Sequence, residues 1–131
     1  MRRAMDPLSA RSLPLWFGVL APPLAWGAHL VLGDLIFELG CGPAVRGREI
    51  AGLSLEAWAL IETAVVGVII AAAGLLALEA WRRLRATSDG TAWNRAHALA
   101  VAGMASGVIY LTLIGFGFLA PFFLKGCTTS P

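Results

Sequence analysis

Four titratable side chains, His29, Asp34, Glu38 and Glu62, stand inside long apolar runs of this 131-residue chain. Charge in such surroundings is costly, and ionisable groups there are functional candidates by default. Asp34 and Glu38 are four apart and share one helical face. Carboxyls so placed can pass a proton between them, or can reach a polar group on a partner helix. The plain alternative is a protonated or hydrogen-bonded carboxyl that only ties helices together. Glu38 is near enough to the end of its run to reach the surface. Asp34 and Glu62 are expected at a common depth, and for them a structural or assembly role is favoured over conduction.

His29 lies on one helical stripe with Trp26 and Gly33. Haem ligation would require a second histidine at the same depth. The other one, His97, differs in depth by roughly a dozen helical residues, near 18 Å. No intramolecular haem site is therefore expected. Three methionines, mostly terminal, give no basis for a copper relay. No metal or cofactor is expected. Tyr110 is nearer to His29 in depth, and a His29–Tyr110 hydrogen bond is the structural expectation.

Cys41 follows the first apolar run and Cys127 the third. One out-and-back crossing separates them, so both thiols face one compartment. An oxidising compartment would pair them, given Cα atoms within about 7 Å. There is no CxxC motif, and two thiols alone make an incomplete metal site. Walker, HExxH, GxSxG and dinucleotide signatures are absent as well, so no enzyme is expected.

The elements that must carry these residues are membrane spans. The chain is 58% hydrophobic and 14% charged, with a mean hydropathy of +0.76. A soluble domain carries roughly 25% charged residues, and one this small could not bury so much apolar surface. Lipid can cover it. Three runs, 13–39, 55–81 and 96–124, each reach the length of about 20 residues that a crossing needs. Short connections predict an all-α integral membrane protein of three antiparallel transmembrane helices in a single domain. Backbone self-sufficiency in lipid favours helices, and barrel-type alternation is absent. The net charge of +2 gives no reason to expect nucleic acid.

Basic residues set the expected direction. Arg2, Arg3 and Arg11 precede the first run; Arg82, Arg83, Arg85 and Arg95 flank the second connection. Arg46, Arg48 and Lys125 lie on the other side. The excess predicts the N-terminus and second connection in the cytoplasm, with the C-terminus outside. The N-terminal stretch does not read as a cleaved signal, because its apolar run is too long and holds Asp34 and Glu38.

Local signals refine the elements. Ser54 is a plausible N-cap for the second helix, with Glu56 in its first turn. Gly103 and Gly107 form a GxxxG, and Gly67, Ala71 and Gly74 share one face of the second helix. Such stripes let helices approach. Glu79 with Arg82 or Arg83 reads as a solvated ion pair. Pro22 and Pro23 leave two versions of the first helix: one kinked helix, or a separate interfacial piece with the span starting near Pro23.

Pro14 to Gly18, Ala21-Pro22-Pro23-Leu24-Ala25-Trp26, then His29 and Cys41, and the ending Pro121 to Cys127 carry a resemblance. The chain resembles a group of small bacterial inner-membrane proteins encoded beside haem–copper cytochrome c oxidase subunits. Asp34 departs from that pattern, standing where an aromatic or apolar residue is expected. The resemblance implies a multi-pass protein of the inner membrane, an accessory subunit or assembly factor whose partners are the bilayer and respiratory oxidase subunits. It supplies no catalytic residue. Two other classes compete with it: a small oligomeric transporter or proton conductor using His29, Asp34 and Glu62, and a redox sensor using Cys41 and Cys127.

Overall fold

The computed structural model describes residues 13–41, 49–87 and 95–123. Three helices fill almost all of them: α1 Leu13–Cys41, α2 Leu55–Thr87 and α3 Arg95–Phe123. All three are long and apolar enough to cross a membrane, over Leu13–Glu38, Leu55–Ala86 and Arg95–Leu119. This is the architecture of a multi-pass membrane protein. The expected Cys41–Cys127 bridge lies outside the described residues. So do Arg2, Arg3, Arg11, Arg46, Arg48 and Lys125, on which the direction rests in large part.

Each helix presents one inward seam at helical spacing. On α1 it runs Leu15, Gly18, Pro22, Ala25, His29; on α2, Glu62, Val66, Ile70, Ala73, Ala77; on α3, His97, Ala100, Gly103, Gly107, Tyr110, Ile114. Steps of three and four keep these positions on a single face. The opposite faces carry Leu24, Val31, Val68, Leu75, Val108 and Phe116, all well exposed. In lipid those side chains need no protein cover.

The three seams meet in two layers. In one, small residues bring the backbones together. A Cβ built on Gly103 would stand 2.9 Å from the Ala77 Cβ and 3.1 Å from the Gly18 carbonyl carbon, and one on Gly107 would stand 3.1 Å from the Gly74 Cα. The GxxxG is thus spent on packing within the bundle. In the other layer Val66, Ile70 and Ile114 form a cluster against Ala25, Trp26 and Tyr110.

The first helix is continuous through both prolines. The version with a separate interfacial piece is therefore wrong. Pro22 has no N–H to give the Gly18 carbonyl. It is nonetheless fully buried, and Gly18 is where Gly103 approaches α1. Tight packing on this turn holds a helix that its local sequence weakens.

Helix α2 extends past the apolar run at 81 as far as Thr87. Arg82 to Ala86 are good helix formers apart from their charge. Arg83 Nε donates to Glu79 Oε1 at 2.9 Å, one turn back, and the Arg85 guanidinium lies 4.8 Å above the Trp81 ring. At the other end Ser54 caps the helix as expected, its Oγ accepting from the Ala57 N–H at 3.2 Å.

Before that cap lies a small hairpin that the loop reading missed. Strands β1 Glu49–Ile50 and β2 Leu53–Ser54 pair antiparallel, Ile50 opposite Leu53. Ala51 and Gly52 turn the chain with φ of 53° and 79°. Two positive φ values are what a two-residue hairpin of primed type demands. Alanine is strained there, and asparagine or glycine is not. Ala51→Asn is expected to raise stability by up to about 1 kcal/mol, and Ala51→Val to lower it. Thermal unfolding of the purified protein in detergent checks this; identical midpoints for the three chains would refute the strain.

Candidate functional site

The second layer holds the polar side chains that the sequence singles out. His29 and Glu62 both sit on inward seams, so their helices aim them at each other. His29 Nδ1 and Glu62 Oε2 are 2.6 Å apart, a hydrogen bond that joins α1 to α2. The two side chains are only 17% and 11% exposed. Such a bond can be made in two ways: an imidazolium or neutral imidazole N–H donates to the carboxylate, or a carboxylic acid O–H donates to the ring nitrogen. One proton shift interconverts the imidazolium–carboxylate form with the imidazole–carboxylic acid form.

The hydrogen bond expected between His29 and Tyr110 is not formed. Glu62 takes that place, and Tyr110 instead packs against Trp26, with ring centroids 5.8 Å apart and planes tilted by 50°. The reason is competition for His29. A carboxylate is a stronger partner than a phenol, and it projects from the neighbouring seam at the right level. The Tyr110 ring is better used as apolar area beside Val66 and Ile114.

The far side of His29 faces α3. A Cβ on Gly117 would come 3.5 Å from Nε2. Gly117 thus lies beside the imidazole where three helices converge, and a Cβ there would make ordinary van der Waals contact with the ring. The other histidine is remote. His97 precedes Gly117 by twenty residues on one continuous helix, about 30 Å of rise.

The pair opens on a cleft between α1 and α2. Asp34 and Phe37 line it from α1, Ala59 and Thr63 from α2, and His29 and Glu62 form its inner wall. Its volume is about 270 Å³. Asp34 and Glu62 thus share one cleft, in keeping with their expected common depth. Asp34 is exposed, and Glu38, a turn later, is exposed as well. Thr63 cannot serve the carboxylates with its proton, because its Oγ1 donates to the Ala59 carbonyl at 2.7 Å. Glu62 Oε1 is buried and has no hydrogen-bond partner. That atom is one acceptor held away from water with nothing donating to it.

Three features of this site escaped the sequence reading: the His29–Glu62 pairing, the approach of Gly117 to His29 and the cleft. The signal for the pairing was present. Glu62 continues the spacing of Val66, Ile70, Ala73 and Ala77, and His29 that of Leu15, Gly18, Pro22 and Ala25. Both side chains therefore had to face other helices rather than lipid. No protein-family model, curated protein or solved structure matches this chain.

Proposed function

We propose that this chain is a non-enzymatic accessory subunit or assembly factor of a respiratory membrane complex. The observation that carries the reading is Asp34. It is an exposed carboxylate at a cleft that Glu62, with its unpartnered Oε1, also lines, on a helix whose exposed side chains are otherwise apolar except for Glu38 one turn later. An ionisable group on such a surface is costly unless protein or water covers it. Three helices leave it open, and a partner helix would close it. The resemblance to proteins encoded beside haem–copper oxidase genes names that oxidase as the complex, in a bacterial inner membrane.

The proposed arrangement has the helices alternating in direction, N-terminus in the cytoplasm and C-terminus outside. Contacts support the alternation. Gly18 meets Ala77 and Gly103, whereas His29 meets Glu62 and Gly117; going up α1 means going down α2 and up α3. The cleft then lies in the outer half, beneath the compartment that Cys41 and Cys127 share, where an oxidising environment would bridge them.

Affinity purification of the tagged full chain from native membranes in mild detergent is the test. Oxidase subunits are expected to be retained with it. Recovery of the chain by itself would count against the proposal.

The second reading, a proton-conducting oligomer, is favoured by one observation: His29, Glu62 and Asp34 all line a single cleft. On the accessory reading, proteoliposomes holding the purified chain conduct protons no faster than empty ones. Flux above that background, abolished in Asp34→Asn/Glu62→Gln, would favour conduction instead.

A further inference from the structure

The end of the bundle away from His29 and Glu62 gathers charge of one sign. Arg82, Arg83 and Arg85 are exposed on the last turns of α2, and Arg95 is exposed at the start of α3. Between Glu79 and Arg95 the sequence holds four arginines against two acids, Glu79 and Asp89. Guanidiniums keep their charge at any physiological pH. With both acids counted as fully ionised, two positive charges are left over.

Beside Arg83 a groove of about 470 Å³ opens between α1 and α2, within the range of about 300–1,000 Å³ that small-ligand sites occupy. Pro14 and Leu15 wall it from α1, and Leu76, Ala80 and Leu84, spaced by four on one face, wall it from α2. Glu79 and Arg83 complete the lining. Glu79 Oε1 accepts from Arg83 Nε at 2.9 Å, and the Arg83 side chain is 79% exposed, so a molecule in the groove can reach it.

The chemistry along the groove runs in the order of an amphiphile. Leu76 lies seven residues nearer the membrane centre than Arg83, about 10 Å of rise. No charged residue stands between Glu62 and Glu79. Trp16, exposed on α1, and Trp81, beneath the Arg85 guanidinium, stand near the charged end, as tryptophans do at a membrane interface. A soluble anion would meet the arginine and leave the apolar walls bare. A neutral hydrocarbon would cover the walls and bring no charge. A phospholipid does both, and the membrane supplies it along this whole surface. A zwitterionic headgroup would bring its own cation to an end already in positive surplus; an anionic headgroup would not.

We propose that this groove binds one anionic phospholipid, its phosphate on the Arg83 guanidinium and an acyl chain along Leu15, Leu76 and Ala80. The guanidinium fork matches two phosphate oxygens. Arg82, Arg85 and Arg95 add the field that draws the anion to this end. The site needs only a chain that crosses a membrane, and no partner subunit.

The test is native mass spectrometry of the full chain released from nanodiscs of equimolar phosphatidylglycerol and phosphatidylcholine. The wild-type chain is expected to retain one phosphatidylglycerol in preference to phosphatidylcholine. Arg83→Gln is expected to lower that occupancy about tenfold, the loss of a charge-assisted contact, and Arg83→Lys to lower it less. Ala80→Phe fills the groove with every charge in place and is expected to lower it as Arg83→Gln does. Arg85→Gln removes an equal charge from the same helix end outside the groove and is expected to keep the lipid. Arg83 is exposed, so its variants decide the matter even if Ala80→Phe fails to insert. Equal retention of the two lipids, or occupancy unchanged in Arg83→Gln, overturns the proposal. So does an equal loss in Arg83→Gln and Arg85→Gln, which would mean attraction spread over the surface rather than a site.

Discussion

Glu62→Leu is expected to destabilise the bundle by about 1–3 kcal/mol, the cost of leaving a largely buried polar partner unsatisfied. His29 would keep its place between α1, α2 and α3 with nothing to receive from or donate to at Nδ1. Its side chain is mostly enclosed, so water replaces the lost partner only in part. His29→Leu is expected to cost a similar amount, because it strands the second oxygen of a carboxyl whose first already lacks a partner. The double variant His29→Leu/Glu62→Leu is expected to be no worse than either single one. Replacing both members of a buried pair by apolar groups of similar size is often close to neutral.

The informative quantity is the coupling between the two changes. Hydrogen bonds between membrane helices average about 0.6 kcal/mol by such cycles and reach about 1.7. The His29–Glu62 bond is short at 2.6 Å and has an ionisable group at each end, which places it toward the upper value. Reversible unfolding of the four purified chains in detergent or bicelles gives the number. Additive losses would mean that the two residues act separately, and the bond would then contribute nothing to holding α1 on α2.

The extents of the helices were legible because lipid imposes a simple demand. Runs at 13–39, 55–81 and 96–124 became Leu13–Cys41, Leu55–Thr87 and Arg95–Phe123. The largest disagreement, at the end of α2, has a clear cause. Hydropathy marks where a helix leaves the apolar layer, whereas Arg82 to Ala86 go on forming helix outside it. The continuity of α1 was less legible. Proline at 22 and 23 argues locally for a break, and only the close contact of Gly18 with Gly103 and Ala77 shows why none occurs. His29, Asp34, Glu62 and Tyr110 stand out in the sequence as residues, but their pairing does not. Depth alone matched His29 with Tyr110. The seam spacing, which sends both His29 and Glu62 inward, was the stronger rule. The missing constraint was rotational: depth says how high a side chain sits, and the seam says which neighbour it faces.

That rotational order depends on the small-residue layer, and Gly103→Leu is expected to disrupt it more than any other single change in α3. A Cβ at this position would stand 2.9 Å from the Ala77 Cβ, 3.1 Å from the Gly18 carbonyl carbon and 3.4 Å from its Cα. Two of those three atoms are backbone, so no rotamer change can clear them. Even Gly103→Ala must push α3 away from α1, at a cost of about 1–3 kcal/mol for overpacking. Leucine would add a branched side chain to the same gap. Gly107→Ala meets the Gly74 Cα at 3.1 Å and belongs to the same class. Gly115 is the control on the same helix, with nothing within 4 Å of a built Cβ. Gly115→Ala is expected to be neutral or to gain up to about 1 kcal/mol from helix propensity. Membrane-inserted yield and detergent thermal midpoints of the four variants would rank them. Tolerance of Gly103→Leu equal to that of Gly115→Ala would show that the three helices are not held at this layer. With the layer intact, His29 is carried to the level of Glu62. With it forced open, α1 and α3 separate and the pair loses the enclosure that makes its hydrogen bond count.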